Sequence, residues 1–144
     1  MQAISSEGEV VTVAGEVRTL TYRPRRVTLS DGTFLLHESR GGTLSSVWAA
    51  DLGDLFVEVV HLGHGPEGGE LVLVVPCADV VAIGDLAGPE ADPRPGTATA
   101  SWAGALDLAL GLMGPDTRVL TSSGEIDRDA VDAAHQRLLG ALHG

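Results

Sequence analysis

An α+β fold with the strands first and the helices last is predicted, and three features of the sequence carry it. Through the first three-fifths or so of the 144 residues, short β-rich runs alternate with Gly, Pro and Asp turn signals. In the last third, the apolar spacing changes to a helical period. The runs 55–61 and 71–83 are apolar on nearly both alternating faces, which suits a sheet covered on both sides. The expected architecture is one mostly antiparallel or mixed sheet with two C-terminal helices on one face, in a single domain spanning 1–144.

Taken in order, strands are predicted at 9–13, 17–22, 26–30, 33–37, 43–48, 55–61, 71–75, 80–83 and 118–121. Residues 1–8 are expected to fray. Ser30-Asp31-Gly32-Thr33 is the clearest hairpin, because Asp-Gly supplies the positive φ angles of a tight primed turn. Segment 84–96 (GDLAGPEADPRPG) is longer than an ordinary connection and is expected to be mobile and to border any ligand pocket. Ser101 is the predicted N-cap of the first helix, with Trp102, Ala105, Leu106, Ala109, Leu110 and Met113 on one face and Gly114-Pro115 ending it. A second helix is predicted from near Asp127. Val131, Ala134, Leu138 and Leu142 keep helical spacing, and Asp127 and Asp129 suit the positive end of its dipole.

Composition excludes several classes of function. Twenty acidic residues against nine basic ones, all Arg, give a formal net charge of -11, which opposes binding to a phosphate backbone. The basic cluster Arg23, Arg25, Arg26 could hold an anion, but a solvated strand end is the favoured reading. There is no apolar run of about 18 residues and no basic segment leading into an apolar one, so no membrane association is expected. The single cysteine, Cys77, cannot make an internal disulfide and reads as a small buried hydrophobe; cytoplasm is the expected compartment.

The segment 55–86, LFVEVVHLGHGPEGGELVLVVPCADVVAIGDL, runs strand, Gly/His loop, strand, Pro-containing turn, strand, then Gly-Asp-Leu. After it come Ser101-Trp102 on an Ala/Leu helix, the short strand 118–121 followed by Ser122-Ser123-Gly124, and a closing helix. This order resembles the C-terminal half of the metallo-β-lactamase superfamily, over roughly residues 26–142. The resemblance implies a half sandwich with a degenerate metal site. The family's bridging aspartate matches Asp85. The loop histidine falls on Pro66 in a gap-free match, or on His64 with a two-residue insertion. The final metal-ligand histidine matches Ser123, and a hydroxyl is a poor zinc ligand beside imidazole. The family's His-x-His-x-Asp-His string is absent from the sequence.

Beside that resemblance, the residues themselves leave two readings of His61 and His64. With Asp85 they make a two-His-one-carboxylate set that is chemically adequate for zinc, or they are a tolerated pair on a strand-to-loop junction, which is favoured. His37, His135 and His143 lack ligand spacing, Ser122-Ser123-Gly124 lacks the glycines of a nucleophile elbow, and the glycines of 63–69 lack the lysine of a phosphate loop. Trp48 and Trp102 read as core before pocket.

The expected function is therefore a noncatalytic domain with no cofactor. It would act through homodimerisation and through binding a small molecule or protein, with His61, His64, Asp85, Trp102 and Ser123 as the ligand-binding candidates. A bare apolar sheet face is the motive for the dimer. The alternative is a zinc-dependent hydrolase of esters, thioesters or amides built on His61, His64 and Asp85, or completed by a partner chain.

Overall fold

The computed structural model describes residues 4–24, 26–31, 34–37, 46–61, 71–87 and 99–143. Within them the order is β1 (Ile4–Glu7), β2 (Val10–Ala14), β3 (Thr19–Arg23), β4 (Arg26–Leu29), β5 (Phe34–His37), β6 (Ser46–Asp51), β7 (Phe56–His61), β8 (Leu71–Val75), β9 (Val80–Gly84), α1 (Thr99–Leu110), β10 (Arg118–Thr121), β11 (Gly124–Ile126) and α2 (Arg128–His143). The class is α+β, as expected, but the strands form two sheets and not one. β1 to β5 make an antiparallel meander, while the second sheet has the order β11-β10-β9-β8-β7-β6. In that mixed sheet β9 and β10 are parallel, and α1 supplies the crossover that a parallel pair requires.

Side-chain alternation explains the layering. Along β8, Leu71, Leu73 and Val75 point into a core shared with Val11, Val13, Leu20, Tyr22, Val27 and Leu29 of the meander. Val72, between them, points into a second core with Trp102, Leu106, Val131 and Leu138 of the helices. β9 divides the same way, Val80 and Ala82 to the meander, Val81 and Ile83 to the helices. The mixed sheet is thus the middle layer, which is why its strands are apolar on both faces.

This arrangement corrects the motive for the dimer. The sheet face that was expected to lie bare is covered by the chain's own β2, β3 and β4. The meander needs no cover of its own, because register places Ser5, Thr12, Thr21 and Thr28 in one cross-strand row on its outer face.

The two sheets are joined at a close contact. Val17 and Arg18 both donate backbone N–H bonds to the Leu52 carbonyl, at 2.8 and 3.3 Å, and the Arg18 guanidinium donates to the Asp51 carbonyl. Gly15 packs so tightly on Leu52 that a Cβ there would overlap it.

Several local expectations change. Ile4–Glu7 is a strand paired with β2, not a frayed end, since Ile4 opposite Val13 packs onto the inter-sheet core. α1 begins at Thr99, so Ser101 lies inside it and is not its N-cap. The second helix does start beside Asp127, and the structure adds a cap there: Asp127 accepts a bond from the Ala130 N–H at 2.9 Å. β11 was not predicted, because Gly-Glu-Ile is too short and polar to carry a strand signal. Cys77 is exposed on the 3-10 turn Pro76–Ala78 and not buried. Gly32 and Thr33 of the hairpin turn, most of the 84–96 loop and the side chains of His37 and Trp48 lie outside the described residues. The hairpin's two strands, β4 and β5, do pair antiparallel. Among the described residues no helix is long and apolar enough to cross a membrane.

Candidate functional site

β8 is antiparallel to both β7 and β9, and β10 is parallel to β9, so β7, β9 and β10 end at the same edge of the mixed sheet. His61 closes β7 opposite Leu71, and Gly84 closes β9 opposite Thr121. One strand separates His61 from Gly84, roughly 10 Å at the usual strand spacing. Asp85 is the next residue after Gly84, and Ser122-Ser123 is the turn that follows β10. Four of the five sequence candidates can be located, and three of these, His61, Asp85 and Ser123, come to this edge. His64, and Pro66 with it, lies outside the described residues.

Their settings differ. His61 is 2% exposed and shares a face with its partner Leu71, so it points toward the inter-sheet core. Asp85 is half-buried and Ser123 exposed. Ser123 is held from below: its N–H donates to Thr121 Oγ1 at 3.1 Å, and that hydroxyl donates to the Gly124 carbonyl at 2.7 Å. The Ser122 N–H donates to the Gly84 carbonyl at 3.0 Å, which ties the β10 turn to the Asp85 turn. The Ser122 hydroxyl is buried and has no hydrogen-bond partner among the described residues.

Gly84 allows this geometry. Its φ is +57°, and a Cβ there would lie 2.9 Å from the Tyr22 hydroxyl and 3.0 Å from Pro24 carbons. Tyr22 and Pro24 reach over from the meander. The Tyr22 hydroxyl donates to the Leu71 carbonyl at 2.7 Å, and the Leu71 N–H donates to the Pro24 carbonyl at 2.6 Å. The β3–β4 turn therefore roofs the edge. Tyr22→Phe should lose about 1–2 kcal/mol, the effect of leaving a buried carbonyl without its donor, and a urea titration measures it.

Trp102 lies behind this edge, inside the helix-side core. Its ring is fully buried, and its indole N–H donates to the Leu86 carbonyl at 2.8 Å. Leu86 in turn donates its N–H to the Ile83 carbonyl at 3.1 Å, so the tryptophan fastens the turn that carries Asp85. Sequence reasoning did not find Tyr22, Pro24, Thr121 or Ser122. No local signal marks Tyr22, Pro24 or Ser122, because each matters through a contact distant in the chain.

Charge is shifted elsewhere. At the opposite end of β10, the Arg118 guanidinium donates to Glu125 at 2.8 Å, which holds that carboxyl below its ordinary range and raises Arg118. Both side chains are about half exposed, so the pair contributes little to stability. As for a metal, no three His, Cys, Asp or Glu side chains among the described residues gather closely enough to hold an ion. His61 on the core side and half-buried Asp85 do not make a site by themselves. What the edge offers is hydrogen bonding: a carboxylate, a buried hydroxyl and backbone groups on a braced turn. No family model matches the chain, and no curated protein matches it in sequence.

Proposed function

We propose that the chain is a metallo-β-lactamase-like domain that has lost hydrolysis and binds a small polar ligand at this sheet edge. One observation carries the reading: β7, β9 and β10 end together and bring His61, Gly84-Asp85 and Ser122-Ser123 to one place. Of these, Asp85 and Ser123 are positions at which the resemblance expects metal ligands, yet Ser123 stands where that chemistry needs an imidazole. The Ser122 hydroxyl, buried without a described partner, is a group that a ligand could satisfy. With the apolar face covered by the meander, homodimerisation loses its motive, and ligand binding becomes the activity that the geometry favours.

The competing reading is a zinc hydrolase on His61, His64 and Asp85, in which a metal-bound hydroxide would be the nucleophile. Elemental analysis of untagged protein purified without chelator separates the two. The expected result is far less than one zinc or iron per chain and no turnover of lactam or ester substrates. Small polar compounds should instead raise the Tm of the native chain more than that of Asp85→Ala. About one metal per chain, lost in Asp85→Ala together with hydrolysis, overturns the proposal.

A further inference from the structure

Val11 and Val13 of β2 fill the inter-sheet core, so Val10 and Thr12 point the other way, onto the outer face of the meander. Register sets Ser5 of β1 opposite Thr12 and Glu7 opposite Val10, which brings all four side chains to that face. A concavity of about 340 Å³ opens over them, lined among the described residues by Ser5, Glu7, Val10 and Thr12. Its volume lies at the lower end of the roughly 300–1,000 Å³ that hold small organic molecules. The frame is fixed by the fold: β1 is laddered to β2 along its whole length, and Ile4 packs on the inter-sheet core. Little ordering of the backbone is then left for a ligand to impose.

The charged group in this lining is the Glu7 carboxylate. Among the described residues Glu7 makes no ion pair, and the Ser5 and Thr12 hydroxyls have no hydrogen-bond partner within the fold. Residues directly opposite one another stand roughly 5 Å apart, and same-face neighbours along a strand roughly 7 Å, so one small group can reach all three acceptors. A primary ammonium matches them, with three N–H donors and a positive charge, while the Val10 methyls take a hydrocarbon stem. A divalent metal fits worse, because one carboxylate and two hydroxyls fall short of the six to eight oxygens that calcium takes. An anion is opposed by Glu7 and by a chain whose net charge is -11. We infer that this concavity is a binding site for a small organic cation, a primary amine in its ammonium form on a short hydrocarbon stem.

This site is distinct from the His61 edge and does not rest on the function proposed for it. Propylammonium chloride is the probe, titrated into the full chain against sodium chloride at matched ionic strength, with backbone amide signals followed by NMR and Tm by thermal shift. The signals of β1 and β2 should move saturably, and Tm should rise where sodium chloride has no effect. Glu7→Gln should weaken binding at least about tenfold, and Thr12→Val, which keeps the shape and deletes the hydroxyl, severalfold. Both positions lie on the outer face, so the amine-free Tm should stay nearly unchanged. Tetramethylammonium, which has the charge without an N–H, should bind far more weakly. Equal affinity in Glu7→Gln, tetramethylammonium or propionate acting as well as propylammonium, or no saturable binding at all overturns the inference.

Discussion

Val59→Asp should yield no folded protein. Val59 is fully buried, stands opposite Trp48 on β6 and Leu73 on β8, and points into the core between the two sheets. A carboxylate there either stays charged without a partner or is protonated at the expense of its ordinary pKa, and it also removes apolar packing. The combined loss exceeds about 4 kcal/mol, against a total stability of roughly 5–15 kcal/mol for an ordinary domain. Far-UV circular dichroism and size exclusion should report an unfolded or aggregated chain. Phe56→Asp, three positions earlier on the same strand, is the control: Phe56 is 50% exposed, so that variant should stay folded within about 1 kcal/mol of native. A folded, monomeric Val59→Asp protein would mean that this face meets a partner and not the meander. That result would restore the dimer.

Trp102→Ala should be the next most damaging change, at about 3–5 kcal/mol, the usual range for deleting a large buried aromatic. Its ring joins Val72, Ile83 and Leu106 in the helix-side core, so a cavity would open between α1 and the mixed sheet. Trp102→Phe separates packing from hydrogen bonding. It keeps most of the volume but leaves the Leu86 carbonyl without its donor, and should lose about 1–3 kcal/mol. Thermal unfolding ranks the three proteins. Hydrogen exchange at Leu86 and Ala87 should rise in Trp102→Phe if the indole fastens the Asp85 turn, and should stay unchanged if the tryptophan only fills space. A Trp102→Phe protein as stable as native, yet with a lost ligand response, would return this residue to the binding site.

Strand positions were legible wherever an apolar run had clear turn residues at its ends. The predicted runs at 26–30, 71–75, 80–83 and 118–121 meet β4, β8, β9 and β10 to within a residue. The helices were legible to about three residues, since a 3.6-residue apolar stripe fixes which face packs but not where the helix begins and ends. Val17 shows the weaker case. Its β propensity suggested a strand start, but it is 71% exposed in the bend where the chain crosses to Leu52, and β3 begins two residues later.

The sequence by itself determined the α+β order, the doubly apolar character of the runs 55–61 and 71–83 and the identity of the residues at the strand ends. These depend on local period and residue type. It could not say what covered the second face of the mixed sheet. A half-polar meander such as VVTVA followed by TLTYR satisfies an exposed sheet and an inner layer equally well. Only the tertiary structure decided that Val11, Val13, Leu20 and Tyr22 fill the core over β7 and β8, that Tyr22 and Pro24 cover the Gly84 edge, and that Trp102 fastens the turn that carries Asp85. Each of these is a contact between positions tens of residues or at least sixteen residues apart, set by how layers stack and not by the preference of any one segment.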